Sequence, residues 1–214
     1  MTIARRDLLK AALIGGGTLA TPALATSALA TSALAPPGSG VLRGGSDPLL
    51  AAARAALARH GHLAADRNRI GVVDFALPSR TPRFFLIDFA AGRASSHLVA
   101  HGRGSDPAHR GWLEVFSNRP GSAATSEGVY LTGAEYQGQH GRSRRLTGLD
   151  PTNDMAEARA IVIHSAWYVG PDMVAQHGKL GRSEGCLAFS SADLAEVMAR
   201  LGPGHLIVAG RFSG

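Results

Sequence analysis

The feature that most limits how this chain can fold is a succession of short strand-like runs, each cut off by glycine, proline or polar turn residues. Residues 70–76, 83–89 and 95–100 follow one another, separated by Leu77-Pro78-Ser79 and Ala91-Gly92-Arg93, and read as a meander. Further runs cover 128–132, 143–146, 160–165 and 205–209; the run 160–165 is almost wholly apolar and is expected to be central. Residues 102–125 are rich in Gly, Ser, Asn, Pro and Asp and read as a long irregular connection, the kind of segment that often carries function.

Only two stretches read as helices. Asp47 is a plausible N-cap with Pro48 in the first helical position, and Leu49, Leu50, Ala53 and Leu57 supply an apolar face that Gly61 ends or bends. Ser190 and Asp193 have capping-box spacing ahead of Leu194, Val197, Met198 and Leu201, and Gly202-Pro203-Gly204 closes that helix. Many short strands with flanking helices give a mainly β domain.

The N-terminus reads differently. Arg5-Arg6-Asp7-Leu8-Leu9-Lys10, a short apolar stretch and a run of small residues give residues 1–30 the layout of a signal peptide, with a paired-arginine start similar to a twin-arginine signal. Ala-Leu-Ala triplets place cleavage between 25 and 35. Residues 31–46, with Pro36-Pro37-Gly38-Ser39-Gly40, read as a flexible tether, and 47–214 as one domain. The expectation is export to the periplasm or cell-wall space, with no membrane span after cleavage.

Loss of Arg5, Arg6, Lys10 and Asp7 lowers the formal charge from +6 to +4, leaving 19 basic and 15 acidic residues. The basic groups are scattered apart from Arg142, Arg144 and Arg145, so no nucleic-acid partner is expected. His60-Gly61-His62 is the closest histidine pair, but no His-Glu-x-x-His or paired-cysteine motif accompanies it, and neither metal nor cofactor is expected.

The single cysteine, Cys186, lies in Gly181-Arg182-Ser183-Glu184-Gly185-Cys186, 22 residues after His164 at the end of an apolar run. A lone cysteine cannot form an internal disulfide, so it is either a small buried hydrophobe or a nucleophile. A thiol attacks as its thiolate, and an imidazole that meets it in space can take the proton. His164 is preferred to His177 as that base, because a strand fixes an imidazole better than a Gly-rich loop. Spacing alone leaves both readings of Cys186 open.

Ile161-Val162-Ile163-His164 followed by the GRSEGC element resembles the catalytic signature of L,D-transpeptidases, and more narrowly that of the murein L,D-transpeptidase catalytic domain. Similar segments extend over about residues 70–210, among them Ala100-His101-Gly102, Phe116-Ser117-Asn118 and Tyr136-Gln137-Gly138. The resemblance implies a β-sandwich or barrel with a few flanking helices. It further implies that Cys186 is acylated by a peptidoglycan stem peptide with release of D-alanine, that His164 is the base, and that the Ser165 carbonyl orients its ring. Gly185 and Cys186 would offer oxyanion N–H groups, while Arg182, Ser183, Tyr136 and His140 are the candidates for substrate contact. An amine acceptor would give transfer, and water would give carboxypeptidase or endopeptidase activity; the alternative is a wall-binding domain without catalysis.

Two positions depart from that pattern. Glu184 stands where many members have histidine, and Ala188 where many have arginine or asparagine. An acidic group beside a thiol opposes thiolate formation unless it is paired, and Arg182 is its candidate partner.

Overall fold

The central strands are apolar almost throughout and send successive side chains to opposite faces, so the sheet they form must be covered on both faces. The computed structural model describes residues 47–213 and the backbone of Ser39–Val41; the expected signal peptide and the rest of the expected tether lie outside the described residues. Among the described residues nine strands occur in one sheet: β1 (Ser39–Val41), β2 (Arg69–Asp74), β3 (Phe84–Asp88), β4 (Arg93–His97), β5 (Gly128–Gly138), β6 (Gly141–Gly148), β7 (Val162–Ser165), β8 (Leu187–Phe189) and β9 (Leu206–Gly210). Their order is β1-β4-β3-β2-β9-β5-β6-β7-β8, antiparallel except for the β2–β9 and β7–β8 pairs. The three α-helices are α1 (Pro48–His60), α2 (Pro171–His177) and α3 (Ser191–Arg200), and none of the described helices is long and apolar enough to cross a membrane.

The alternation sorts side chains onto two cores. Ile70 and Val72 of β2, Ile87 of β3, and Leu206 and Val208 of β9 pack with Leu50, Ala53 and Ala56 of α1. Their neighbours Val73, Phe84, Leu86, Ile207 and Ala209 face the other way, onto Leu194, Val197 and Met198 of α3 and Leu201 just after it. Each buried Val, Leu or Ile contributes about 1.5–3 kcal/mol, so the sheet is held from both sides. Both helix starts are capped as expected: Asp47 Oδ1 accepts the Leu49 N–H at 2.9 Å, and Ser190 Oγ accepts the Asp193 N–H at 3.1 Å. The second is not a reciprocal box, because the Ser190 hydroxyl donates to the Asp193 carboxylate (2.8 Å).

The sheet curls back on itself. Just beyond β4, the Ala100 N–H donates to the Ala188 carbonyl at 2.9 Å, and Gly102 bridges to Ser183. The long 98–126 connection is thereby drawn against β8 and the turn before it. Beneath this connection Arg83 is fully buried, its guanidinium donating to Val99 O at 2.9 and 3.1 Å, to Leu77 O at 3.0 Å and to His101 Nδ1 at 2.7 Å. His101 Nε2 faces Asp106 Oδ2 at 3.4 Å, and Asp106 accepts the Arg110 and Gly111 N–H groups at 2.7 and 2.8 Å. Burial pulls Arg83 down to about 9 and, with Arg83 beside it, His101 to about 3. At neutral pH the cation stays charged and the imidazole neutral, a stable brace.

The structure departs from the sequence reading at several elements. Ser39–Val41, inside the segment read as a tether, pairs with β4. β5 runs on to Gly138 through an irregularity between Thr132 and Glu135. α2 and the three-residue β8 have no counterpart in the sequence reading, because both are too short to display a hydrophobic period.

Candidate active site

Cys186 sits immediately before β8, and the parallel register of that strand decides what it meets. Ile163 pairs with Leu187 and His164 with Ala188, which sets Cys186 opposite Val162, two residues from His164 and on the same face of β7. Ile163 and Leu187 point into the core under α3, so His164 and Cys186 face away from it. The thiol side of this pair opens into a cleft of about 440 Å³ that Tyr136, His140, Arg159, Ala160 and Glu184 also line.

The imidazole is oriented from behind. His164 Nδ1 lies 2.8 Å from the Ser165 carbonyl, an acceptor only, so Nδ1 carries the proton and Nε2 is left with its lone pair. Burial pushes His164 below the ordinary histidine range, and the neighbouring His140 pushes it further against the Ser165 bond. The Cys186 thiol is 9% exposed and donates to the Ala160 carbonyl at 3.6 Å. Burial raises its pKa, the Val162 backbone and Arg159 oppose that rise, and Glu184 adds to it. Both groups therefore rest neutral on one face of the β7–β8 pair, and the chemistry open to a thiol and an imidazole so placed is proton transfer as the sulfur attacks.

The turn carrying the thiol is tightly specified. Ser183 Oγ donates to the Cys186 carbonyl at 2.7 Å and accepts the Gly185 N–H at 3.1 Å. Gly185, expected as an oxyanion donor, thus directs its N–H at Ser183, and Ser183, expected as a substrate contact, is buried in the turn and shapes it instead. Gly185 also has φ +120°, and a Cβ there would lie 2.7 Å from the Ala124 carbonyl. From outside, Ser183 N–H donates to His101 O (2.9 Å), Arg103 N–H to Ser183 O (2.7 Å), and Thr125 Oγ1 to Gly185 O (3.2 Å). Gly102 must be glycine for this contact, since its Cβ would stand 2.7 Å from Gly185 Cα.

The remaining sequence candidates fall in different places. Tyr136 lines the cleft with Arg145 stacked 4.6 Å from its ring centroid. His140 forms, with Gln139, the two-residue tip of the β5–β6 hairpin, and its exposed ring lies on that of His164, centroids 4.4 Å apart. Arg182 does not pair with Glu184 and does not line the cleft; it donates to the Asp106 and Pro107 carbonyls and ties down the 103–111 loop. Glu184 instead meets Arg103 at 2.6 Å, an exposed pair. His177 is exposed at the end of α2, and His60 bonds to Asp150 at 2.9 Å.

Sequence reasoning passed over Arg103, Arg159 and Ala160. Arg103 is 81 residues from its partner, and Arg159 stands in a Glu-Ala-Arg-Ala run with no signal of a site. The one available sign was the glycine-rich character of 102–125, which places the braces of the nucleophile turn in a long loop.

Residues 47–209 match the family described as the L,D-transpeptidase catalytic domain. No curated protein matches the chain. Among solved structures, an L,D-transpeptidase from Mycobacterium smegmatis is 16% identical, with 67% of this chain and 58% of that one covered at a TM-score of 0.41. L,D-transpeptidase 3 from Mycobacterium tuberculosis, solved with a faropenem-derived adduct, is 17% identical over 67% and 60% at 0.39. The helical cell shape determining protein Pgp2 from Campylobacter jejuni is 12% identical over 68% and 48% at 0.40. The chain thus spans less than two thirds of the length of these proteins. By the match over most of its length, the chain belongs to the L,D-transpeptidase catalytic-domain family.

Proposed function

We propose that the protein is an exported cysteine acyltransferase acting on peptidoglycan stem peptides. The observation that carries this reading is the tautomer of His164. Its Nδ1–H is held by Ser165 O, so Nε2 is left to accept a proton on the face of β7 that Cys186 shares. As Sγ attacks a stem-peptide carbonyl, the S–C bond forms and the thiol proton passes to Nε2. The tetrahedral oxyanion then collapses, the C–N bond breaks, and His164-H⁺ protonates the departing D-alanine amine. The product is a thioester on Cys186.

An acceptor amine next gives its proton to Nε2, attacks the thioester and restores the thiol. With Gly185 N–H directed to Ser183, the backbone N–H of Cys186 is the oxyanion donor assigned in this reading. Tyr136 and His140 contact the bound stem from the cleft wall, and water in place of the amine gives hydrolysis. Residues 1–30 act as the export signal on this account.

Incubation of the purified protein with disaccharide-tetrapeptides, with products identified by mass, tests the reading. A cross-linked dimer with free D-alanine establishes transfer, and a tripeptide with free D-alanine establishes hydrolysis. Absence of D-alanine and of any product defeats the enzyme reading in favour of a wall-binding domain.

A further inference from the structure

One strong cation stands beside the thiol without an anion. Arg159 is half-buried in the cleft wall, and its guanidinium is held by neutral groups: Nη1 donates to Ser117 O at 2.7 Å and Ser126 Oγ at 3.3 Å, and Nη2 to Ser122 Oγ at 3.3 Å and to Ala124 O. Among the described residues it makes no ion pair, whereas Arg103, Arg142 and Arg144 all meet carboxylates. The geometry sets it against the nucleophile. A Cβ on Gly185, the residue before Cys186, would lie 3.2 Å from Arg159 Nη2, and the carbonyl of the next residue, Ala160, is the acceptor of the Cys186 thiol. A half-buried guanidinium with no counter-ion loses hydration and regains only dipoles, so a negative charge forming next to it is strongly favoured.

We propose that Arg159 is the fixed counter-charge of the Cys186 thiolate, locked in place by the 117–126 loop so that the sulfur can ionise inside a dry turn. The inference rests on the acyltransferase reading for its purpose, but not for its test. Other groups around the sulfur do not supply this charge. Glu184, on the same turn, is anionic and already engaged by Arg103. Tyr130 of β5 and Tyr168 beyond β7 are both held protonated, pushed up to about 12 chiefly by burial. His164 of β7 is kept neutral until it takes the thiol proton, and His140 and Tyr136 stand on the hairpin wall of the cleft. The arrangement answers the departure at position 184: the acidic side chain is tied off on the solvent side while a cation is fixed on the inner side.

The rate of alkylation of Cys186 by iodoacetamide as a function of pH reads the thiolate directly and needs no wall substrate. In R159Q the midpoint moves up by about one unit and the rate at neutral pH falls roughly tenfold, as expected when an opposite charge is removed from beside a thiolate. R159K keeps the charge on a head that cannot hold the Ser117 and Ala124 carbonyls together, and its midpoint falls between the two. Thermal unfolding of each variant reports folding separately. A folded R159Q whose profile superimposes on that of the native protein overturns the proposal and leaves Arg159 as a loop brace; if R159Q does not fold, the equally neutral R159M takes its place, and a superimposed profile there overturns it in the same way. Failure of muropeptide turnover alongside a shifted profile would remove the acyltransferase reading and leave this inference standing.

Discussion

The imidazole of His140 lies on that of His164, with ring centroids 4.4 Å apart and planes inclined by 24°. A two-residue hairpin turn places it there, since Gly138 pairs with Gly141 and leaves only Gln139 and His140 at the tip. The stack covers a ring that would otherwise meet water: His164 is 2% exposed. One exposed histidine thus helps to keep the buried one dry.

Loss of that cover shifts the activity profile in a predictable direction. His164 is held below the ordinary histidine range by burial first and by His140 second. His140→Ala removes both influences in part, so the folded pKa of His164 rises, the base stays protonated to higher pH, and the acidic limb of kcat/KM moves up. His140→Phe keeps the stack without the charge and should recover most of the native profile. Measuring kcat/KM from pH 5 to 8 for both variants checks this.

The turn before the thiol should tolerate almost no change. Ser183→Ala removes an acceptor for the Gly185 N–H and a donor to the Cys186 carbonyl, a loss of about 1–3 kcal/mol. Gly185→Ala meets the Ala124 carbonyl at 2.7 Å and Ile161 Cδ1 at 2.8 Å at a φ of +120°, which costs about 2–4 kcal/mol. Urea unfolding gives both values. Ser183→Thr, which keeps the hydroxyl, should retain turnover that Ser183→Ala loses.

Acid stability should depend on the contact between β4 and α3. His97 Nδ1 donates to Asp193 Oδ1 at 2.9 Å, and this bond is the main cause holding the Asp193 carboxyl below the usual range. A carboxyl with a folded pKa below its unfolded one stabilises the protein above the unfolded value, and that contribution is lost as pH falls through the folded value. Asp193→Asn therefore lowers Tm at pH 6 and narrows the difference from the native protein as the pH falls below about 4. Thermal unfolding between pH 3 and 7 measures the convergence; parallel curves would contradict it.

Which features were legible in the chain depended on whether the signal was local. The strands around Val72, Leu86, Ile163 and Ile207 showed in the sequence because alternation or continuous apolar character is written within a few residues. Asp47 and Ser190 cap the helices they were expected to open, since a cap is also a local device. β8 escaped notice because Leu187–Phe189 becomes a strand only through β7 and Ala100. The same holds for the site. Cys186 and His164 stood out in the sequence as a motif, and β7 and β8 set them on one face, whereas the Arg103–Glu184 pair, the Arg159 brace and the His140 stack arise from folding distant segments together. Arg182, four residues from the cysteine, was assigned to Glu184 by nearness in sequence, yet the 103–111 loop holds it.

In the proposed acyltransferase, Cys186 is the acyl carrier and His164 activates it. A β-lactam such as faropenem is a strained amide that acylates an activated thiol and leaves a covalent increment. Intact-mass measurement after incubation with faropenem should show one adduct per chain in the native protein, none in Cys186→Ala, and roughly a hundredfold or more slower formation in His164→Ala, as expected for loss of a general base. No adduct in the native protein, or an adduct that persists in Cys186→Ala, would contradict the account.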